Sequence, residues 1–304
     1  MKRRNFIKNS IYSSLLLSGS ALNFNSCIAS EQKKITILHT NDVHSHIEPF
    51  NENHAKFPSK GGVARRSTII ESIKSSNPNT LLLDAGDIFQ GTPYFNYYGG
   101  EIEFKLMSML NYDAATIGNH DFDNGIEGLY AQLPNAKFQF ISSNYDFRNT
   151  IMDSHAKTYM IFNKSDIKIG VFGLGIELKG LVNTSLYKET KYLDPIEVTQ
   201  EMTKILKEKE KCDLIICLSH LGHSYKDNSK KISDITLAKS TKNIDLIIGG
   251  HTHTFLDRPE IVTNIDGEKV IINQVGCFGL YLGQIDFYFD SMKNKTSNAY
   301  AIEV

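Results

Sequence analysis

Five short polar clusters in this 304-residue sequence carry side chains that could act together: Asp42-Val43-His44, Gly86-Asp87, Gly118-Asn119-His120-Asp121, Ser219-His220 and Gly250-His251-Thr252-His253. Asp and His supply the oxygen and nitrogen donors that zinc, manganese, iron or cobalt accept. A carboxylate can join two such ions, and Asp87 is the residue expected to do so. An extended backbone puts residues two apart on the same side. Asp42 with His44, and His251 with His253, could then each offer two groups to one centre. Glycines at 86, 118, 249 and 250 let the chain turn tightly and approach an ion closely. Taken singly, the clusters are weak, since a lone Asp-x-His is more often a solvated turn. Together, in this order, they read as one divalent-metal centre.

Each cluster begins where an apolar run ends. The runs are KITILHT (34–40), TLLLDA (80–85), AATI (114–117), DLIICL (213–218) and DLIIG (245–249), all read as strands. Helical patterns cover 62–75, 102–110, 125–133, 195–211 and 232–240. Ala64, Ile69, Ile70 and Ile73 suggest the apolar face of the first. A strand pair is expected over 159–163 and 167–173, and late strands over 270–274 and 282–290. Strands alternating with helices argue for an α/β fold. The late strands have no helix between them, so part of the sheet should be antiparallel. In such folds, sites gather beyond the carboxyl ends of the strands.

The order of the clusters resembles the calcineurin-like metallophosphoesterase superfamily. The strings Ile37-Leu38-His39-Thr40-Asn41-Asp42, Gly86-Asp87-Ile88-Phe89-Gln90-Gly91-Thr92, Tyr112-Asp113-Ala114 and Gly118-Asn119-His120-Asp121-Phe122-Asp123-Asn124-Gly125 are similar to its 5′-nucleotidase branch. The resemblance implies a four-layer α-β-β-α sandwich with two mixed β-sheets. It implies one metal ion on Asp42, His44, Asp87 and His253. A second would sit on Asp87, Asn119, His220 and His251. It also implies a catalytic pair, His120 and Asp123, with Asn119 and His120 meeting the substrate. The expected chemistry is attack of a metal-bound hydroxide on phosphorus. His120 would stabilise the phosphoryl charge and help protonate the leaving oxygen, and Asp123 would fix its tautomer. Long members of the branch carry a C-terminal domain that clamps the base and holds the substrate with arginines. This chain ends at Val304. A separate chain is therefore expected to supply that domain, or else the substrate is not chosen by its base.

Composition sets the outer bounds. Hydrophobic residues make up 41% and charged residues 22%, with a formal net charge of −1. No basic excess is present to attract polymeric nucleic acid. Residues 1–30 read as an export signal: Lys2, Arg3 and Arg4, an apolar stretch, then small residues. The Arg pair resembles a twin-arginine signal. Cys27, after Ser26, resembles a lipoprotein site, which predicts a periplasmic or membrane-anchored bacterial protein. Residues 31–304 form the catalytic domain. Cys212, Cys217 and Cys277 lack metal or redox spacing and read as buried free thiols.

The remaining histidines are weaker. His39 reads as a core residue bonded to the backbone, and His46 and His223 as neighbours of ligands or loop residues. His54 and His155 read as structural. Tyr94, Phe95, Tyr97 and Tyr98 line the cleft mouth, face a partner chain, or fill the core. The sequence has no P-loop, no G-x-S-x-G elbow and no complete dinucleotide fingerprint. The leading expectation is a phosphomonoesterase acting on a small phosphate ester, most naturally a nucleotide. The alternatives are cleavage of cyclic nucleotides or nucleotide sugars, and a non-catalytic surface protein that captures metal.

Overall fold

Side-chain alternation along the first strands sets the architecture. In β1 (Lys33–Thr40) and β2 (Thr80–Asp84), Ile35, Ile37, Leu81 and Leu83 join one apolar core. Leu38 and Leu82 join another. Both strands are therefore buried on both faces, as their continuous apolar sequence demands. The computed structural model describes residues 32–226 and 231–304. Residues 1–30, read as an export signal, and Cys27 among them lie outside the described residues.

Two six-stranded sheets stack face to face. The first combines β1 and β2 with β3 (Ala114–Ala115), β4 (Gln139–Phe140), β13 (Tyr281–Phe289) and β14 (Lys295–Glu303). Its order is β14-β13-β1-β2-β3-β4. The second contains β6 (Tyr159–Lys164), β7 (Ile167–Leu174), β9 (Leu214–Ser219), β10 (Leu246–Gly249), β11 (Glu260–Thr263) and β12 (Lys269–Asn273). Its order is β11-β12-β10-β9-β7-β6. A two-stranded ribbon joins β5 (Tyr145–Asp146) to β8 (Lys191–Tyr192). The first sheet is parallel from β1 to its β4 edge and antiparallel through β13 and β14, and the second is parallel at its centre with both edge pairs antiparallel, so both are mixed, as expected.

Helices cover the outer faces. α1 (Val63–Ser76), α2 (Pro93–Tyr98), α3 (Glu101–Met109), α4 (Gly125–Gln132) and α5 (Thr184–Tyr187) pack on the first sheet through Ile70, Phe95, Phe104, Ile126 and Leu186. α6 (Pro195–Lys204) and α7 (Asp234–Ser240) pack on the second through Val198, Met202 and Leu237. Between the sheets lie Ile35, Leu83, Val171, Ile216 and Ile248. The result is the four-layer α-β-β-α sandwich.

Two local expectations need correction, and one strand, β14, was not expected at all. The helix read over 195–211 is α-helical only to Lys204, then continues as a π turn over Ile205–Lys209. Ala64 is exposed, whereas Arg66 is buried on that face of α1. β14 is polar and mostly exposed, so it lacks the alternation that marks a half-buried strand.

Candidate active site

Strand register brings the five clusters to one edge of the sandwich. Thr40 of β1 pairs with Asp84 of β2, and Asp84 with Ala115 of β3. In the other sheet, Ser219 pairs with Gly249. The loops after β1 and β2 then zip together. The N–H groups of Asp42, His44 and Ser45 donate to the carbonyls of Gly86, Asp87 and Ile88 at 2.9–3.0 Å.

The backbone here is not extended. Asp42, His44, Asp87, His251 and His253 all have φ between 50° and 72°. Such left-handed conformations cost energy in non-glycine residues and cluster at functional sites. The expectation that spacing along an extended chain pairs these side chains is therefore wrong. Alternate left-handed turns aim Asp42 and His44 at one point, but send His251 and His253 to different ones.

Six side chains fall into two groups, each with donor atoms within 4.8 Å of one another. One is Asp42, His44 and His253; the other is Asp87, His220 and His251. The groups abut. Nε2 of His220 lies 3.0 Å from Asp87 Oδ2 and 3.9 Å from Asp42 Oδ1. Nε2 of His44 lies 3.8 Å from Asp87 Oδ2. Asp87 thus faces both groups. Asn119 Oδ1 is 2.8 Å from His251 Nδ1.

The donor set suits cations. His220 Nδ1 meets the Ala85 carbonyl at 2.7 Å, and His44 Nδ1 meets the Phe89 carbonyl at 3.2 Å. Those nitrogens donate their protons, which leaves each Nε2 with a lone pair. The His44 lone pair then faces His253 Nε2 at 3.0 Å. Nε2 of His220 is fully buried and makes no well-aligned hydrogen bond among the described residues, although Asp87 Oδ2 lies 3.0 Å away. Lone pairs turned on one another and on carboxylates need positive charge between them.

Titration follows the same logic. Burial lowers His44 to about 4 and His251 to about 3, and also lowers His253, so these rings are neutral and able to ligate. Burial opposes charge on His220, yet with no cation beside them Asp87 and Asp42 outweigh it and raise His220 to about 10, so a proton takes the Nε2 position that a metal ion would displace it from. Burial, with Asp87 nearby, pushes Asp42 up to about 8. Burial works the same way on Asp87, but His220, His44 and His120 hold it well below the usual carboxylate range.

His120 sits at the rim. Its side chain is 38% exposed, as is that of His253, whereas Asp42 and His220 are sealed. The open side of the pocket is therefore the His120–His253 side. His120 Nδ1 lies 2.8 Å from Asp123 Oδ2, and its backbone N–H donates to Asp87 Oδ1 at 2.8 Å. The Asp123 hydrogen bond raises the pKa of His120.

The other candidates scatter. His39 is buried and neutral, lowered to about 3, but its partner is the Asn273 amide at 2.9 Å rather than the backbone. His46 bonds the His44 carbonyl and packs on Phe278. His223 meets Glu260, His54 packs on Phe57, and exposed His155 packs on Tyr130. Phe95 fills the core. Tyr94, Tyr97 and Tyr98 line a groove of about 480 Å³ with His46 and Phe50. Cys212 and Cys217 are buried free thiols, whereas Cys277 is only partly buried.

Sequence reasoning gave no role to Asp121, Asn41 or Gln274. The Asp121 carboxylate accepts the N–H groups of Asp87, Ile88, Phe89 and Gly118 at 2.8–3.2 Å, so it shapes two loops. Asn41 donates to Asp42 Oδ2 at 2.7 Å and accepts from Val275 N–H. Gln274 holds the Gly250 carbonyl. Asn41 and Asp121 lay within the strings already singled out. Their signal was a short polar side chain among loop N–H groups.

A family model described as calcineurin-like phosphoesterase matches residues 35–255. The trifunctional nucleotide phosphoesterase protein YfkN of Bacillus subtilis is 34% identical over 288 residues, covering 84% of this chain and 18% of that protein. The human 5′-nucleotidase is 35% identical over 292 residues, covering 87% of this chain and 48% of that one. Among solved structures, the 5′-nucleotidase precursor from Thermus thermophilus superimposes with a TM-score of 0.80 at 30% identity. That match covers 90% of this chain and 55% of the other. The chain thus spans about half the length of the two 5′-nucleotidases.

Proposed function

This chain belongs to the calcineurin-like phosphoesterase family, and we propose that it is a two-metal phosphomonoesterase of the 5′-nucleotidase type. One observation carries the reading. Two abutting groups of mostly buried donors meet at Asp87 and His220, next to a rim histidine paired with a carboxylate. Asp42, His44, Asp87 and His253 would hold one divalent ion. Asp87, Asn119, His220 and His251 would hold the other, with Asp87 common to both. Two such ions neutralise phosphate charge and make water nucleophilic near neutral pH. Zinc, manganese, iron and cobalt all fit this donor set.

The chain's own residues do the rest. Asp123 fixes Nδ1 of His120, which leaves Nε2 as the ring nitrogen free to meet the ester. With its pKa raised, His120 holds a proton for the departing oxygen. Asn119 and His120 meet the phosphoryl group.

The leaving group has two readings. In the first, a separate chain recognises a nucleoside base. In the second, the leaving group lies in the groove of Tyr94, Tyr97, Tyr98 and Phe50. The groove wall favours this, because His46 lies two residues from His44 and packs on Phe278, itself 6.0 Å from the His44 ring. We further propose that residues 1–30 direct export and that Cys27 carries a lipid. Loss of the protein from the membrane fraction in Cys27→Ala tests the anchor.

The deciding experiment is phosphate release from a panel of nucleotides, nucleotide sugars and simple esters, with and without a candidate partner chain. Activity alone on aromatic esters supports the groove, and activity only with the partner supports the separate chain. Metal-saturated protein that releases no phosphate from any ester would falsify the enzyme reading.

A further inference from the structure

We propose that ordered water joins Arg66 to Glu103 in a buried cavity beneath the loop after β1, and that this link, through Ser45, holds His44 in place. Arg66 on α1 is 4% exposed and Glu103 on α3 is 5% exposed. Among the described residues, Nε and Nη1 of Arg66 and Oε2 of Glu103 have no hydrogen-bond partner. Both side chains line one cavity of about 30 Å³, together with Ser45, His46, Asp84 and Tyr112. Buried charge is costly unless it is paired or hydrogen-bonded. A water needs roughly 10–15 Å³ and two to four polar partners, and this cavity offers both.

The link reaches the active site through defined contacts. The Ser45 hydroxyl donates to Glu103 Oε1, and Ser45 N–H donates to the Ile88 carbonyl at 2.9 Å. Ser45 follows His44, and both are left-handed, with φ of 58° and 50°. Such a pair needs anchoring from outside its own backbone. On the far side, Arg66 lies across Gly279, where a Cβ would come within 1.9 Å of Nη1. Gly279 thus leaves room for the guanidinium. Arg66, Glu103 and Ser45 are positioning residues, and the role rests on His44 being a metal ligand, as proposed above.

The test uses the full chain. A crystal structure fine enough to show solvent should place water within hydrogen-bond reach of both Arg66 and Glu103 Oε2. A dry cavity, or a direct ion pair, would overturn the bridge. Zinc titration of metal-free protein by calorimetry reads the positioning role. Ser45→Ala and Arg66→Met should each weaken one zinc about tenfold and leave the other unchanged, a split between the two sites that a general loss of stability would not produce. If Arg66→Met does not fold, Ser45→Ala and the solvent structure still decide. Variants that bind both ions like wild type sink this role alone. A wild-type chain that takes up no zinc sinks both this role and the two-metal reading.

Discussion

His120 is where residue chemistry is most open to test. It lies at the exposed rim, within reach of the ion groups but in neither of them. His120→Ala should lower turnover by about 10²–10⁴, while elemental analysis still finds both metals. Loss of metal in that variant would reassign His120 as a ligand. The Asp123 contact raises the pKa of His120, and the protonated form, useful as an acid, is lost as pH rises through that pKa. In Asp123→Asn the pKa falls back toward the ordinary value. The alkaline limb of the kcat profile should then move to lower pH, and an unmoved limb would rule His120 out as the acid.

At the level of elements, one buried carboxylate organises two loops. Asp121 gathers four N–H groups from the segments after β2 and β3. Removing it strands those donors in a sealed region, at a cost of about 3 kcal/mol. Urea unfolding of Asp121→Ala should show that loss, and a midpoint within error of wild type would mean water replaces the carboxylate. These loops also mark the limit of what the sequence could tell. Apolar runs such as Leu81-Leu82-Leu83 announce buried strands, and the polar residues after them announce a site. The turns themselves were misjudged. Spacing of two suggested extended chain, yet His251 and His253 are left-handed and diverge. Asp and His give only a weak signal of left-handed backbone in residue type, because the turns are held by hydrogen bonds from distant loops, as between the Asp42 N–H and the Gly86 carbonyl.

For the whole molecule, the ends of two sheets meet at the site. Asp42, His44, Asp87 and Asn119 follow strands of the first sheet, and His220, His251 and His253 follow strands of the second. Bound ions would therefore tie the halves of the sandwich together. With free metal at about 100 times its dissociation constant, one site adds about 2.7 kcal/mol. Chelation should lower Tm by roughly 5–10 °C for a domain of this size. An unchanged Tm would mean the ions do not span the sheets. The layered fold was legible because both inner strands are apolar on both faces. β14 was not, because an edge strand such as Lys295–Glu303 needs no hydrophobic pattern.

The left-handed φ values at Asp42, His44, Asp87, His251 and His253 also bear on how this protein responds to selection. Asparagine and glycine tolerate that geometry better than histidine. They also remove like-charged or lone-pair neighbours that repel one another when no cation is present. A library screened only for survival of heating in chelator should therefore accumulate Asn and Gly at these five positions. Its winners should be sturdier than their parent and chemically inert.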